Sequence, residues 1–159
     1  MEPTVYVETS IVSYLAARPS RDVITAAHQQ LTTQWWATRR SAFRLHISEL
    51  VVQEASDGDP DAVRRRLDLL EGIPAVAVTA DAVSFARSLV ENRIVPRTAE
   101  ADALHIAIAA AGGMEYLLTW NCRHIANAQI RGKIEELARL RGFEPPILCT
   151  PEELMETDQ

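Results

Sequence analysis

The stretch VYVETS, residues 5–10, decides the fold. Val5, Tyr6 and Val7 make a short apolar run with two β-branched side chains, and the polar Glu8-Thr9-Ser10 follows at once. Such a run reads as a buried strand that ends on a polar turn. From Ile11 to Leu15 the apolar spacing becomes helical, and Ala16–Pro19 breaks it. The unit is therefore strand, polar turn, helix.

The same unit recurs outward from it. Ser20 is placed to cap a helix to about Thr38, with Asp22 in its first turn and Val23, Ala27, Leu31 and Trp35 on one face. Phe43, Leu45 and Ile47 alternate with Arg44 and His46, which predicts a strand over 43–47. Ser48 caps the next helix, which ends at Asp57-Gly58. Asp59-Pro60 opens another, through Val63, Leu67 and Leu70. A strand is predicted at 75–78 and a helix capped by Thr79 to about Asn92. Thr98 caps a helix over 99–111, stopped by Gly112-Gly113. Strands follow at 116–118 and 147–149, separated by a long helix capped by Asn127. Strand–helix alternation with short connections implies an α/β three-layer sandwich around a central, mostly parallel sheet of four or five strands. With 159 residues and no linker or repeat, the expectation is a single domain over 1–159.

Composition narrows the function. Hydrophobic residues make up 47% and charged residues 24%, ordinary for a soluble globular protein. No apolar run has membrane-spanning length, and MEPTVYVETS does not read as a secretory signal. Cys122 and Cys149 form neither a disulfide framework nor a metal motif, so a cytoplasmic location is expected. A net charge of −6 argues against broad non-specific nucleic-acid binding but not against a nuclease. HExxH, GxGxxG and phosphate-binding glycine loops are absent from the sequence, which argues against zinc and nucleotide cofactors.

Four polar residues stand where catalysis usually sits: Glu8, Glu54, Asp102 and Asn121. In open parallel sheets ligands bind beyond the carboxyl ends of the strands. Glu8 follows its strand directly, Asn121 follows strand 116–118 by a few residues, and Asp102 lies in the first turn of its helix. Glu54 is about two turns into a helix, with Glu49 as a competing choice. Each has a bland alternative: Glu8 and Asn121 as caps, Asp102 as a dipole-favoured surface acid, Glu54 as a solvated helix residue. His105, one turn after Asp102, reads as a packed or hydrogen-bonding histidine. The Arg64-Arg65-Arg66 run reads as a solvated helix face, and the Trp35-Trp36 pair as half core and half interface. Three converging acids repel one another unless a cation holds them, and carboxylates suit hard cations such as Mg²⁺ or Mn²⁺. In metal-free protein at least one of these carboxyls should therefore have a raised pKa. A haloacid-type phosphatase needs an aspartate nucleophile with a second aspartate two residues on; Glu8-Thr9-Ser10 does not supply it.

The strings VYVETSIVSYL, ARPSRD, WW, SELVVQEAS, ADALHIAIA and TWNCRHIAN, in this order, resemble the PIN domain and within it a bacterial VapC-like subgroup. The resemblance spans Val5 to about Glu153. It implies a PIN-like fold and a Mg²⁺- or Mn²⁺-dependent endoribonuclease acting on single-stranded RNA. It also implies a dimer, and silencing by a cognate antitoxin protein. By position it implies Glu8, Glu54, Asp102 and Asn121 as catalytic residues, with Glu8 and Asp102 holding the metal. Ser10 and Thr119 match the hydroxyl positions that orient the ligands. Arg18, Arg21 and Arg123 lie near the site edge in sequence, but no substrate-binding residue is assigned. Two positions depart from the pattern: Glu8 stands where aspartate is usual, and Asn121 where many members carry a fourth acid. The second departure removes a charge and motivates the alternative of a degenerate PIN-like domain that binds RNA or a protein without cleaving.

Overall fold

The protein is described over residues 1–157 by a computed structural model. Five strands form one parallel sheet in the order β3-β2-β1-β4-β5. They are β1 (Thr4–Val7), β2 (Arg44–Ser48), β3 (Ala75–Val76), β4 (Tyr116–Leu118) and β5 (Ile147–Cys149). Every pairing is parallel, including Val5 with Leu45 on one side and Val5 with Tyr116 on the other. A parallel sheet covered on both faces needs strands apolar throughout, and Val5, Tyr6 and Val7 are each fully buried.

The helices are α1 (Thr9–Ala16), α2 (Val23–Thr38), α3 (Glu49–Ala55), α4 (Pro60–Leu70), α5 (Ala80–Glu91), α6 (Glu100–Ala111) and α7 (Ala128–Leu140). α1 packs against α2, α3 and α4, and α5 packs against α6 and α7. The chain runs outward from β1 to β3, then returns past β1 to β4. Right-handed crossovers of that order place the two helix groups on opposite faces. The order also makes a switch point between β1 and β4, where neighbouring connections leave in opposite directions and a crevice opens beyond the strand ends. Glu8 N–H donates to the Leu118 carbonyl at 3.0 Å across that point.

Several local expectations need correction. Asp22, not Ser20, caps α2: its carboxylate accepts from Thr25 N–H, while Ser20 Oγ accepts from Asp22 N–H. The buried face of α2 carries Thr32 and Trp35, whereas Val23 is 81% exposed. Thr98 does not cap α6; a short 3₁₀ turn, Arg97–Ala99, leads into that helix without a side-chain cap. Strand β2 is shifted one residue, so Ser48 both ends the strand and caps α3. Strand β3 has only two residues. Trp35 is in the core, and the Arg40 guanidinium lies 4.4 Å from the Trp36 ring centroid, covering the outer tryptophan.

The arginine run is not simply solvated. Arg64 pairs with Asp61 on the surface. Arg65 Nε donates to the Ala16 carbonyl at 2.9 Å, and Arg66 Nε to the Ala55 carbonyl at 3.0 Å. Those carbonyls belong to the last residues of α1 and α3, where orphan acceptors and the negative dipole end favour a cation. The two arginines thus fix the far ends of the helices that start at the sheet edge. Arg66→Ala is expected to cost about 1.5 kcal/mol, the scale of a charge-assisted hydrogen bond. Arg64→Ala should cost less than about 0.5 kcal/mol, as an exposed ion pair does. Urea unfolding of both variants checks the order; equal losses would contradict it.

Candidate functional site at the switch point of the sheet

Glu8 is the first residue after β1 and is only 6% exposed. A buried carboxylate needs hydrogen-bond donors. Glu8 Oε1 accepts from Ser10 Oγ at 2.6 Å and from Thr119 Oγ1 at 2.5 Å, and Oε2 accepts from Ser10 N–H at 3.1 Å. The last contact is also the N-cap of α1, so the capping and site readings of Glu8 hold together. Ser10 Oγ and Thr119 Oγ1 in turn accept from Trp120 N–H at 2.8 Å and Asn121 N–H at 2.9 Å. Both hydroxyls singled out in the sequence therefore bridge the end of β1 to the turn after β4.

Glu54 reaches the same place from the last turn of α3, one of whose helical faces carries buried Val51 and Ala55. Its Oε1 accepts from Thr9 Oγ1 at 2.6 Å and lies 2.5 Å from His105 Nε2. One potential ligand atom from each of Glu8, Glu54 and His105 falls within 4.8 Å of the others. Burial raises the Glu54 carboxyl pKa, but the hydrogen bonds from His105 and the Thr9 hydroxyl outweigh it, and the result is lowered. Crowded acids led us to expect a raised carboxyl; at Glu54 the direction is the opposite, because donors surround it. Glu49, the competing acid, is exposed at the start of α3.

Asp102 and Asn121 do not join that group. Asp102 Oδ2 lies 3.1 Å from His124 Nδ1. Asn121 Oδ1 accepts from Arg123 N–H at 3.3 Å and His124 N–H at 2.9 Å, so its carbonyl oxygen clamps a turn. The two halves are connected through Thr119, which touches both Glu8 and the Asn121 backbone. A cleft of about 500 Å³ opens beside the first half. Glu8, Thr9, Ser10, Tyr14 and Glu54 line it with Thr25 and Gln29 of α2; Asp102 and Asn121 do not. Tyr14 stands edge-on to a stacked pair, His28 and Trp120, whose centroids are 4.0 Å apart.

Sequence reasoning passed over Thr9, Tyr6 and the partners of both histidines. The available signal was spacing: Thr9 abuts Glu8, and His105 follows Asp102 by one turn. Arg18, Arg21 and Arg123 are all exposed. Among the described residues no helix is long and apolar enough to cross a membrane.

Because the folded Glu54 carboxyl holds its proton more weakly than an unfolded one, its contribution to stability is complete above the ordinary glutamate range. It is lost as pH falls through the lowered folded value. The stability gap between wild type and Glu54→Gln should therefore be flat near neutrality and move against wild type in acid. Urea titrations from about pH 7 to pH 3 test this; a gap independent of pH would contradict it.

In sequence, no family model and no curated protein matches the chain. In structure it is similar to VapBC2 from Rickettsia felis, solved bound to a DNA fragment from the promoter. That match has a TM-score of 0.58 and 16% identity, covering 92% of this chain and 98% of that one. It is also similar to Mycobacterium tuberculosis VapC20, described as a toxin that cleaves the Sarcin-Ricin loop. Here the TM-score is 0.53 and the identity 19%, over 71% of this chain and 86% of that one. At such identities the likeness speaks for the fold: the chain has the PIN-like α/β fold of VapC toxins.

Proposed function

We propose that the protein is a metal-dependent endoribonuclease acting on single-stranded RNA, and the toxin of a toxin–antitoxin pair. The observation that carries this reading is the placement of Glu8 and Glu54 together beyond the strand ends at the switch point, lining one open cleft. The fold shared with VapC toxins supports it.

The donor set fits a hard cation. Two carboxylates present oxygens at close range, and Glu54 Oε2 has no hydrogen-bond partner among the described residues. We assign Glu8 and Asp102 as ligands of Mg²⁺ or Mn²⁺, as the resemblance implies; Glu54 lies beside Glu8 in the cleft, whereas Asp102 and Asn121 stand outside that group and would complete the site from the far side of Thr119. When bound, the cation supplies charge for the scissile phosphate and a more acidic water. The remaining work falls to the chain. Ser10 and Thr119 hold Glu8 Oε1 and so aim its carboxylate. Glu54, kept ionised by its donors, is placed to align the attacking water. Tyr14 offers a ring at the cleft on which an unpaired base can stack, which favours single strands over duplex. The exposed Val23 and Ile24, 81% and 68%, support a homodimer through the start of α2. An antitoxin protein is the other proposed partner, and the cytoplasm the proposed compartment.

Cleavage of labelled single-stranded RNA with Mn²⁺, with and without EDTA, tests the proposal. Glu8→Gln and Asp102→Asn should each remove most activity. Asn121→Asp should leave activity unchanged or raise it, since a carboxylate keeps the two backbone donors and adds a charge. Mn²⁺ at 100 times its Kd should stabilise wild type by about 2.7 kcal/mol, and Asp102→Asn should lose that gain. Activity that survives EDTA or Asp102→Asn would refute the mechanism. A wild type that binds Mn²⁺ and RNA but never cleaves would establish the binding-only alternative.

A further inference from the structure

His105 is fully buried on α6, and both its ring nitrogens are engaged. Nε2 lies 2.5 Å from Glu54 Oε1, and Nδ1 lies 2.7 Å from the Tyr6 hydroxyl. That hydroxyl lies 2.7 Å from Ser48 Oγ, and Ser48 Oγ accepts from Val51 N–H at 3.4 Å. These contacts form one line from the cap of α3, through the middle of β1 and α6, back to the last turn of α3.

Counting hydrogens orients the line. Ser48 is fully buried, and its hydroxyl has one hydrogen to place. Its partners are Val51 N–H, which is a donor, and Tyr6 Oη. Ser48 therefore donates to Tyr6; otherwise a buried hydrogen is left without an acceptor. The Tyr6 hydrogen is then free to point at His105 Nδ1. Nδ1 accepts, so the ring proton sits on Nε2 and is donated to Glu54. The opposite tautomer would press the Nε2 lone pair against a carboxylate oxygen. Burial agrees, since desolvation pushes the Tyr6 phenol well above its usual range and keeps its hydrogen in place.

We infer that Tyr6 and Ser48 are positioning residues that set the tautomer of His105, whose Nε2–H with the Thr9 hydroxyl clamps one oxygen of Glu54 and leaves the other for the cation. The use of the free oxygen rests on the nuclease reading above; the tautomer does not. In this arrangement His105 is a donor to the site and not a metal ligand. The core of the sheet thereby dictates the aim of a cleft carboxylate, through four side chains that come from β1, β2, α3 and α6.

The first experiment needs no variant and no metal. Long-range ¹⁵N NMR of wild-type protein should show His105 Nδ1 in the unprotonated range and Nε2 in the protonated range. The reverse pattern, or a ring protonated at both nitrogens near neutral pH, overturns the inference. Tyr6→Phe removes only the hydroxyl that donates to Nδ1 and should shift the Nδ1 resonance toward that of a free lone pair; an unchanged Nδ1 shift also overturns the inference. For the second experiment, Mn²⁺ binding is followed by calorimetry. Tyr6→Phe and His105→Leu should weaken it about tenfold or more, as loss of a ligand-orienting partner does. His105→Gln, whose amide N–H can replace Nε2–H, should stay nearer wild type. In RNA cleavage the loss in Tyr6→Phe should appear in kcat with KM unchanged. Wild-type binding of Mn²⁺ with equal affinity in Tyr6→Phe and His105→Leu sinks the inference and spares the nuclease reading. A wild type that ignores Mn²⁺ sinks the metal reading instead, and the ring spectra then decide the tautomer alone.

Discussion

The structure turns on burying the Glu8 carboxylate at the point where the sheet reverses direction. An ionised carboxylate taken from water is costly unless donors replace the lost hydration. Here three donors do so, from Ser10 Oγ, Ser10 N–H and Thr119 Oγ1. Meeting that need determines much else. The α1 helix must start at Thr9, so that its first amides face the carboxylate. The chain after β4 must bring a hydroxyl to position 119 and then turn sharply, which the Asn121 side chain permits. The Ser10 hydroxyl, spent on Glu8, also receives Trp120 N–H, and Trp120 Nε1 donates to Thr32 of α2 at 2.6 Å. One buried carboxyl group thus couples β1, β4 and two helices.

A second constraint follows from the first. Glu54 stands close to Glu8, and two carboxylates at short range raise each other's proton affinity unless something intervenes. The sequence pointed to a cation as the main remedy. The structure provides others, in the Thr9 hydroxyl and the His105 imidazole, and they are strong enough to lower the Glu54 pKa. Both carboxylates are oriented by the protein's own donors, and those donors favour the ionised form of Glu54. Such preorganisation is where catalytic electrostatics gains most.

How much of this was legible depended on the range of the interaction. VYV and YLL were readable as strands because continuous apolar runs of that length have few other fates in an alternating chain. Glu8 was readable as a strand-end residue because strand ends collect at one edge of a parallel sheet, a rule that does not place Glu54, which reaches the edge from the last turn of α3. Cap choice was less so: Ser20 and Asp22 are both good caps, and only the backbone geometry before Val23 selects the aspartate. The arginine run was misread because a carbonyl acceptor such as Ala16 or Ala55 leaves no mark in the side-chain pattern. The His105–Tyr6–Ser48 line was invisible for the same reason at longer range. Its partners are separated by 42 and 99 residues, and each reads locally as an ordinary core or cap residue.

Asn121 shows how a departure from an acidic pattern can be structurally coherent. At this position the oxygen that faces the loop accepts two backbone N–H groups, a task that an amide carbonyl performs without adding charge. The adjacent His124 is thereby fixed so that its Nδ1 meets Asp102 Oδ2. With the amide, the turn is kept and the acid count stays at three. Position 121 thus contributes the shape of the loop that carries His124, the partner of Asp102.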